Sequence, residues 1–291
     1  MSNNILNNFL NGFSIEVTPR AIAKIENLSE LIPSGTLFYI AHIEGTPIED
    51  MVQTAKRINE QGYPTMPHFP ARIIKDKDTL KDWISRYQNE ANVENALLLA
   101  GGANKPYGDY DSSIHLIESE LFDLAGFKKL HIAGHPEGNK DIDPDGSTIN
   151  VNKALSWKNE FRNRTDADMA ITTQFCFDAD VVREWVENIK NRGIDIPIHI
   201  GIAGPAKLQT LLKFSLECGV GASMKVLTKR AKDITKLLLP YEPIQIINAL
   251  AKFKEDHSDF NVEQVHFFPL GGIKRTVDWV EEVNRDDFQK A

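Results

Sequence analysis

Along the chain, short apolar runs rich in β-formers alternate with amphipathic stretches of roughly 12 to 18 residues, with a polar loop between each pair. The repeat reads as β-loop-α. It predicts strands at Phe13–Thr18, Leu37–Ile43, Thr65–Phe69, Ala96–Gly101, Lys129–Gly134, Met169–Phe177, Ile198–Ala203 and Val265–Leu270. Helices are predicted at Pro47–Gln61, Asp78–Asn89, Ser113–Ala125, Asp180–Arg192 and Pro205–Cys218, with Pro47 and Pro205 at first-turn positions. Nearly all-apolar strands such as Ala96–Ala100 call for burial on both faces, hence a parallel sheet wrapped by helices. Eight such strands close an α/β barrel of the (β/α)8 type. A doubly wound sheet would usually show a Gly-rich dinucleotide fingerprint after an early strand; the nearest fragment, Gly219-Val220-Gly221-Ala222, follows a helix and lacks the third glycine. The stretch from about 219 to 256 reads as two or three extra helices between strands seven and eight, and the Asn-rich residues 1–11 as a short helical or loose leader. With no linker in view, residues 1–291 are expected to form one barrel domain.

Length agrees with this: 291 residues exceed an ordinary domain but fit a barrel of roughly 250 residues with extensions. A 42% apolar and 25% charged composition is that of a globular protein and excludes disordered, collagenous and disulfide-scaffold classes. The net charge of −8 repels polyphosphate and no basic patch offsets it, so small-molecule partners are favoured over nucleic acid. Cys176 and Cys218 lie in apolar segments without a CxxC pattern, and a reducing cytoplasm is the simplest compartment. No run approaches the roughly 18 apolar residues that span a bilayer, and the start of the chain does not read as a signal peptide.

In an eight-stranded α/β barrel the chemistry sits at the carboxyl ends of the strands. Strand one carries Glu16 between Ile15 and Val17, so strand alternation turns its carboxyl the opposite way from both, toward the low-dielectric interior. Burial raises a carboxyl pKa and suits a general acid; a buried Glu satisfied by a neighbouring Arg or Lys reads equally well. Strand three presents His68 between Pro67 and Pro70, a stiff mount for an imidazole that faces a ligand or caps a loop. Gly101 and Gly102 after strand four admit a flat ring or a phosphate to the backbone, or simply make a turn. Strand five ends in His135 and Glu137, and strand six in Gln174, whose amide suits a pterin edge or a bond closing a barrel layer. HxxxH, HExxH, GxSxG and P-loop patterns do not occur, so no metal is expected and neither a hydrolase elbow nor a P-loop is present.

Seven segments in order, SIEVTPR (14–20), PHFPAR (67–72), LLLAGGANKPYGDY (97–110), AGHPEGN (133–139), ITTQFCFD (171–178), GIAGPAK (201–207) and VHFFPLGG (265–272), cover nearly the whole chain. Together they resemble the methylenetetrahydrofolate reductase family, flavin-dependent barrels that interconvert 5,10-methylene- and 5-methyltetrahydrofolate. The resemblance implies FAD as cofactor, NADH or NADPH as electron donor, a folate substrate and a habit of self-association. It makes Glu16 the general acid and brings Gln174 and Leu208 to the substrate. His68, Ala100, Gly101, Gly102, Ala103, Tyr110, His135, Asn139 and Lys158 fall to the cofactor cleft, with Lys158 matching a lysine near the FAD phosphates.

Departures are numerous. The family's RGD after strand four reads Gly101-Gly102-Ala103, which removes a carboxylate that faces flavin and folate there. The tyrosine of its YPE motif is His135, and the histidine that follows is Asn139. A threonine on strand two is Ala41, the acidic residue that holds a ribose hydroxyl falls near Val151, a stacking aromatic is Leu208, and a folate-binding arginine is Gly272. These changes leave open the direction of reaction and the electron partner, and keep two rivals in view: a folate-binding or electron-transfer partner subunit without turnover of its own, and unrelated lyase or methyltransferase chemistry on the same fold.

Overall fold

The computed structural model describes residues 3–220, 224–231 and 239–285. Eight parallel strands follow one another round a closed barrel in chain order: β1 (Ser14–Val17), β2 (Phe38–Ile40), β3 (Thr65–Pro70), β4 (Asn95–Leu99), β5 (Lys129–Gly134), β6 (Asp168–Thr173), β7 (Ile198–Ala203) and β8 (Val262–Phe268). Helices alternate with them, and the fold is the (β/α)8 barrel that the strand pattern predicts. Of the extra stretch at 219–256, residues 221–223 and 232–238 lie outside the described residues; helices Met224–Ala231 and Ile244–Asp256 belong to it.

The chain groups into two compact units. The first comprises residues 14–133 and 157–171 and holds β1 to β4 with most of β5 and β6. Its ladder is set by the pairs Glu16–Tyr39, Tyr39–Met66 and Leu97–His131. Because side chains alternate along a strand, Glu16, Tyr39, Met66, His68, Leu97 and His131 share the inward face. Beneath its open end this face is filled by Leu37, Tyr39, Met66 and Leu97, with Leu99 packed against them. On the outer face Phe69 meets Tyr87, Phe122 and Phe127, burying helix Lys77–Ala91 and the segment after β4.

The second unit comprises residues 1–13, 134–156 and 172–291. The leader forms a helix, Asn3–Leu10, whose Phe9 and Leu10 are buried, and this helix packs on β8 and on helices Ile244–Asp256 and Ile273–Asn284. Phe175, Phe177, Ala203, Ala206, Leu208, Leu211 and Tyr241 form an apolar cluster, and backbone bonds between Ala206 and Tyr241 (3.1 and 2.9 Å) tie the segment after β7 to the returning chain.

Two predicted helices differ in outline. Ser113–Ala125 is broken into Ser113–Glu118 and Leu121–Leu124 because Glu120 adopts a left-handed backbone with φ of 60°. Pro205–Cys218 begins only at Leu208, since Pro205 is buried and its carbonyl faces Gly271 so closely that no side chain would fit there.

Candidate functional site

In the first unit, β1 ends at Val17 because Thr18 caps a short helix: its hydroxyl accepts a bond of 3.2 Å from the Ala21 N–H, and Pro19 takes the first helical position. That stop leaves Glu16 one residue from the carboxyl end. Its side chain is 21% exposed while Ile15 and Val17 are buried, so the carboxyl lies on the inner face with a narrow opening to solvent. Burial pushes the Glu16 carboxyl above its ordinary pKa, and the charge of His68 opposes this in part. His68 Nε2 lies 3.4 Å from Glu16 Oε2. The neighbour of the buried Glu is thus an imidazole, where the sequence reading had allowed an Arg or Lys.

Around this pair the strand ends are partly open at Ala41, Leu99, Ala100 and Ala133, all small or aliphatic. The loop that follows β4 is held by Arg72. Its guanidinium donates to the Ala103 carbonyl (3.1 Å) and, through Nε, to the carboxylate (3.0 Å) and carbonyl (3.1 Å) of Asp111, while its own N–H donates to the Ala100 carbonyl (2.9 Å). Gly101 has φ of +92°, and a Cβ there would lie 2.8 Å from Pro70 Cβ, so glycine is required by the backbone itself. Gly102 is open and exposed. Ala103 and Tyr110 are buried; burial, with Asp109, Asp76 and Asp78 nearby, raises the Tyr110 hydroxyl pKa. Tyr107 hydrogen-bonds Glu44, joining this loop to the one after β2.

Lys158 lies in the last turn of helix Ile149–Phe161, on the same buried stripe as Val151 and Leu155. Desolvation lowers its pKa to about 8, and among the described residues its amine has no hydrogen-bond or ion-pair partner.

In the second unit, His135 and Asn139 are partly exposed after β5. The Asn139 side-chain oxygen accepts from the Asp141 N–H (2.9 Å), which leaves its amide nitrogen for other partners. Gln174 follows β6, and its Oε1 accepts from the Phe175 N–H (3.0 Å), so one of its acceptor positions is used within its own turn. Leu208, expected near the substrate, is buried at the start of its helix within the apolar cluster.

Sequence reasoning missed three polar features, one of them a pair. Tyr39 and His131, both fully buried inside the first unit, share a hydrogen bond of 2.6 Å. Asp143, near Val151 where an acidic residue was sought, accepts from the Asn150 and Val151 N–H groups (2.9 and 3.0 Å) and caps that helix. Burial raises its pKa, but these bonds and one from Ser147 outweigh that and hold the carboxyl low. The third is the Arg72 tether.

Among the described residues no group of three or more His, Cys, Asp or Glu side chains is placed to hold a metal ion, and no helix is long and apolar enough to cross a membrane. Fold and site define an eight-stranded α/β barrel with a carboxyl–imidazole pair at its strand ends. No family model matches the sequence. Among solved structures the chain is similar to an uncharacterised protein from Clostridium thermocellum that binds two copies of 5-methyl-5,6,7,8-tetrahydrofolic acid; the TM-score is 0.61 at 12% identity over 97% of each chain. At that identity the likeness shows a shared fold.

Proposed function

We propose that this chain binds a reduced folate at the carboxyl ends of its strands and interconverts 5,10-methylene- and 5-methyltetrahydrofolate with the help of FAD. The observation that carries this reading is Glu16: a carboxyl whose pKa burial raises, at the strand ends, with a narrow path to solvent. The folate bound by a protein of the same fold supports the substrate class.

The residues fit a flavin. In this reading the buried amine of Lys158, unpartnered among the described residues, receives a phosphate, which would draw its pKa back up toward the ordinary value. The small, partly exposed side chains of Ala41, Ala100 and Ala133 and the open backbone at Gly102 would line the cofactor cleft with His68 in the same reading. When bound, FAD supplies the hydride that side chains cannot. Glu16 protonates the nitrogen that departs as the five-membered ring of methylenetetrahydrofolate opens; the C–N pair goes to that nitrogen and an iminium carbon is left to accept hydride. In the reverse direction Glu16 takes the proton back. Gln174 donates to the pterin through its amide. NADH or NADPH is the proposed donor in the reducing direction.

A second reading, a folate-binding protein without turnover, is favoured by the strand-four loop, where Ala103 is buried and its carbonyl is held by Arg72.

The test is an absorption spectrum of the purified chain followed by anaerobic titration with 5-methyltetrahydrofolate. Bleaching of a flavin band is expected, and Glu16→Gln should abolish folate turnover while leaving NAD(P)H oxidation with a quinone acceptor. Absence of flavin, or full folate turnover in Glu16→Gln, overturns the proposal; folate binding without bleaching selects the second reading.

A further inference from the structure

Glu16 and His68 do not stand on neighbouring strands: β2 lies between β1 and β3, yet the carboxyl and imidazole come within 3.4 Å. Neighbouring strands run about 4.8 Å apart, so the two side chains must reach toward each other across the full width of β2. The register shows how. Glu16 pairs with Tyr39, and Ile40 with Pro67, so the next rung sets Ala41 level with His68; the ladder continues there, since the Ala41 N–H donates to the Val17 carbonyl at 2.8 Å. Ala41 follows Tyr39 on the inward face, and it is the smallest side chain that can separate the pair. Any β-branched residue at 41 would fill the gap.

We propose that His68 is a positioning residue for Glu16, reaching through the gap left by Ala41 to hold the carboxyl in place and to face the carboxylate that remains once its proton has gone. This rests on the reading of Glu16 as the acid. The proton given to a bound base is recovered from water through the narrow opening at Glu16, and a protonated imidazole opposite would stabilise the anion meanwhile.

The groups that face Glu16 from the packed elements are few. β2 offers Tyr39, already bonded to His131 of β5; β3 offers His68; β4 offers only Leu97 and Leu99. The charge that opposes burial at the Glu16 carboxyl is that of His68.

The experiment needs neither flavin nor folate. The protonated-carboxyl infrared band of Glu16, isolated as wild type minus Glu16→Gln, is titrated with pH in the ligand-free chain. His68→Gln should raise its midpoint by about one unit or more, the size of effect an opposite charge within 4–6 Å exerts. Ala41→Val, which keeps both partners but closes the gap, should raise it in the same direction, with Ala41→Thr as a second variant of similar bulk. The shift from Ala41→Val should largely vanish in a His68→Gln background, because both act through one contact. An unmoved midpoint in His68→Gln, or an Ala41→Val shift that adds in full, overturns the proposal. If the chain proves to bind no folate, the midpoint still decides this point independently.

Discussion

At the scale of single residues, Lys158 carries the largest consequence for stability. Its folded pKa is about 8 against an ordinary 10.5, so between those values the unfolded chain holds a proton that the folded chain has released. Stability therefore rises with pH through that window, and below it the folded state bears the whole cost, about 3 kcal/mol at 1.36 kcal/mol per unit. Lys158→Met should add stability of that order at pH 7 and little at pH 10.5, measured by urea unfolding at both values. If the amine holds a cofactor phosphate as proposed, the same variant should bind flavin more weakly, and a stabler protein with unchanged flavin affinity would remove Lys158 from the cofactor site. Glu16 and His68 were legible in sequence because alternation and flanking prolines fix where such side chains point. The Tyr39–His131 bond was not, because it depends on register between strands 92 residues apart in the chain. Local backbone bonds that occupy Gln174 and Asn139 were equally hidden, since each depends on the turn that its own segment makes after the strand.

Among the elements, Glu120 marks where local sequence and local structure part. Residues 113–125 have helical periodicity and neither Gly nor Pro before Gly126, so nothing in them signals a break. The structure nonetheless turns left-handed at Glu120. The break leaves Ile117, Glu118, Asp123 and Leu124 along a groove of about 390 Å³, walled by the stacked rings of Trp157 and Phe161 with Arg164 over them. A side chain in this backbone region costs roughly 1 kcal/mol that glycine does not incur. Glu120→Gly should therefore raise the unfolding free energy by that order in chemical denaturation, whereas a loss of stability would mean that the Glu120 side chain does more than tolerate its conformation. The loop after β4 teaches the converse lesson: its glycines were visible as places of close approach, but at Gly101 and Gly108 the approaching partner is the protein's own chain at Pro70 and Lys75.

For the molecule as a whole, the eight-strand pattern sufficed for the barrel, because buried parallel strands leave continuous apolar runs that few other arrangements produce. Boundaries were less legible: β6 was expected to reach Phe177 but ends at Thr173, where the Thr173 hydroxyl accepts the Gly201 N–H (2.8 Å) and the chain departs from the ladder. The role of the leader was also underread. Leu10 is 1% exposed, and Leu10→Ala should cost about 2–4 kcal/mol. Hydrogen exchange should then quicken in 244–256 and 273–284, the helices this segment touches; unchanged protection there would mean that the leader packs without supporting them.

The leader's partners also set an order of events during synthesis. Helix Asn3–Leu10 emerges ahead of the barrel strands but seats on β8 and on helices made more than 230 residues later. At ribosomal speeds of about 5–20 residues per second, its apolar side waits on the order of tens of seconds before a docking surface exists. Nascent chains stalled in that interval would expose Phe9 and Leu10 to chaperones, while the strands from Ser14 onward already have neighbours to pair with.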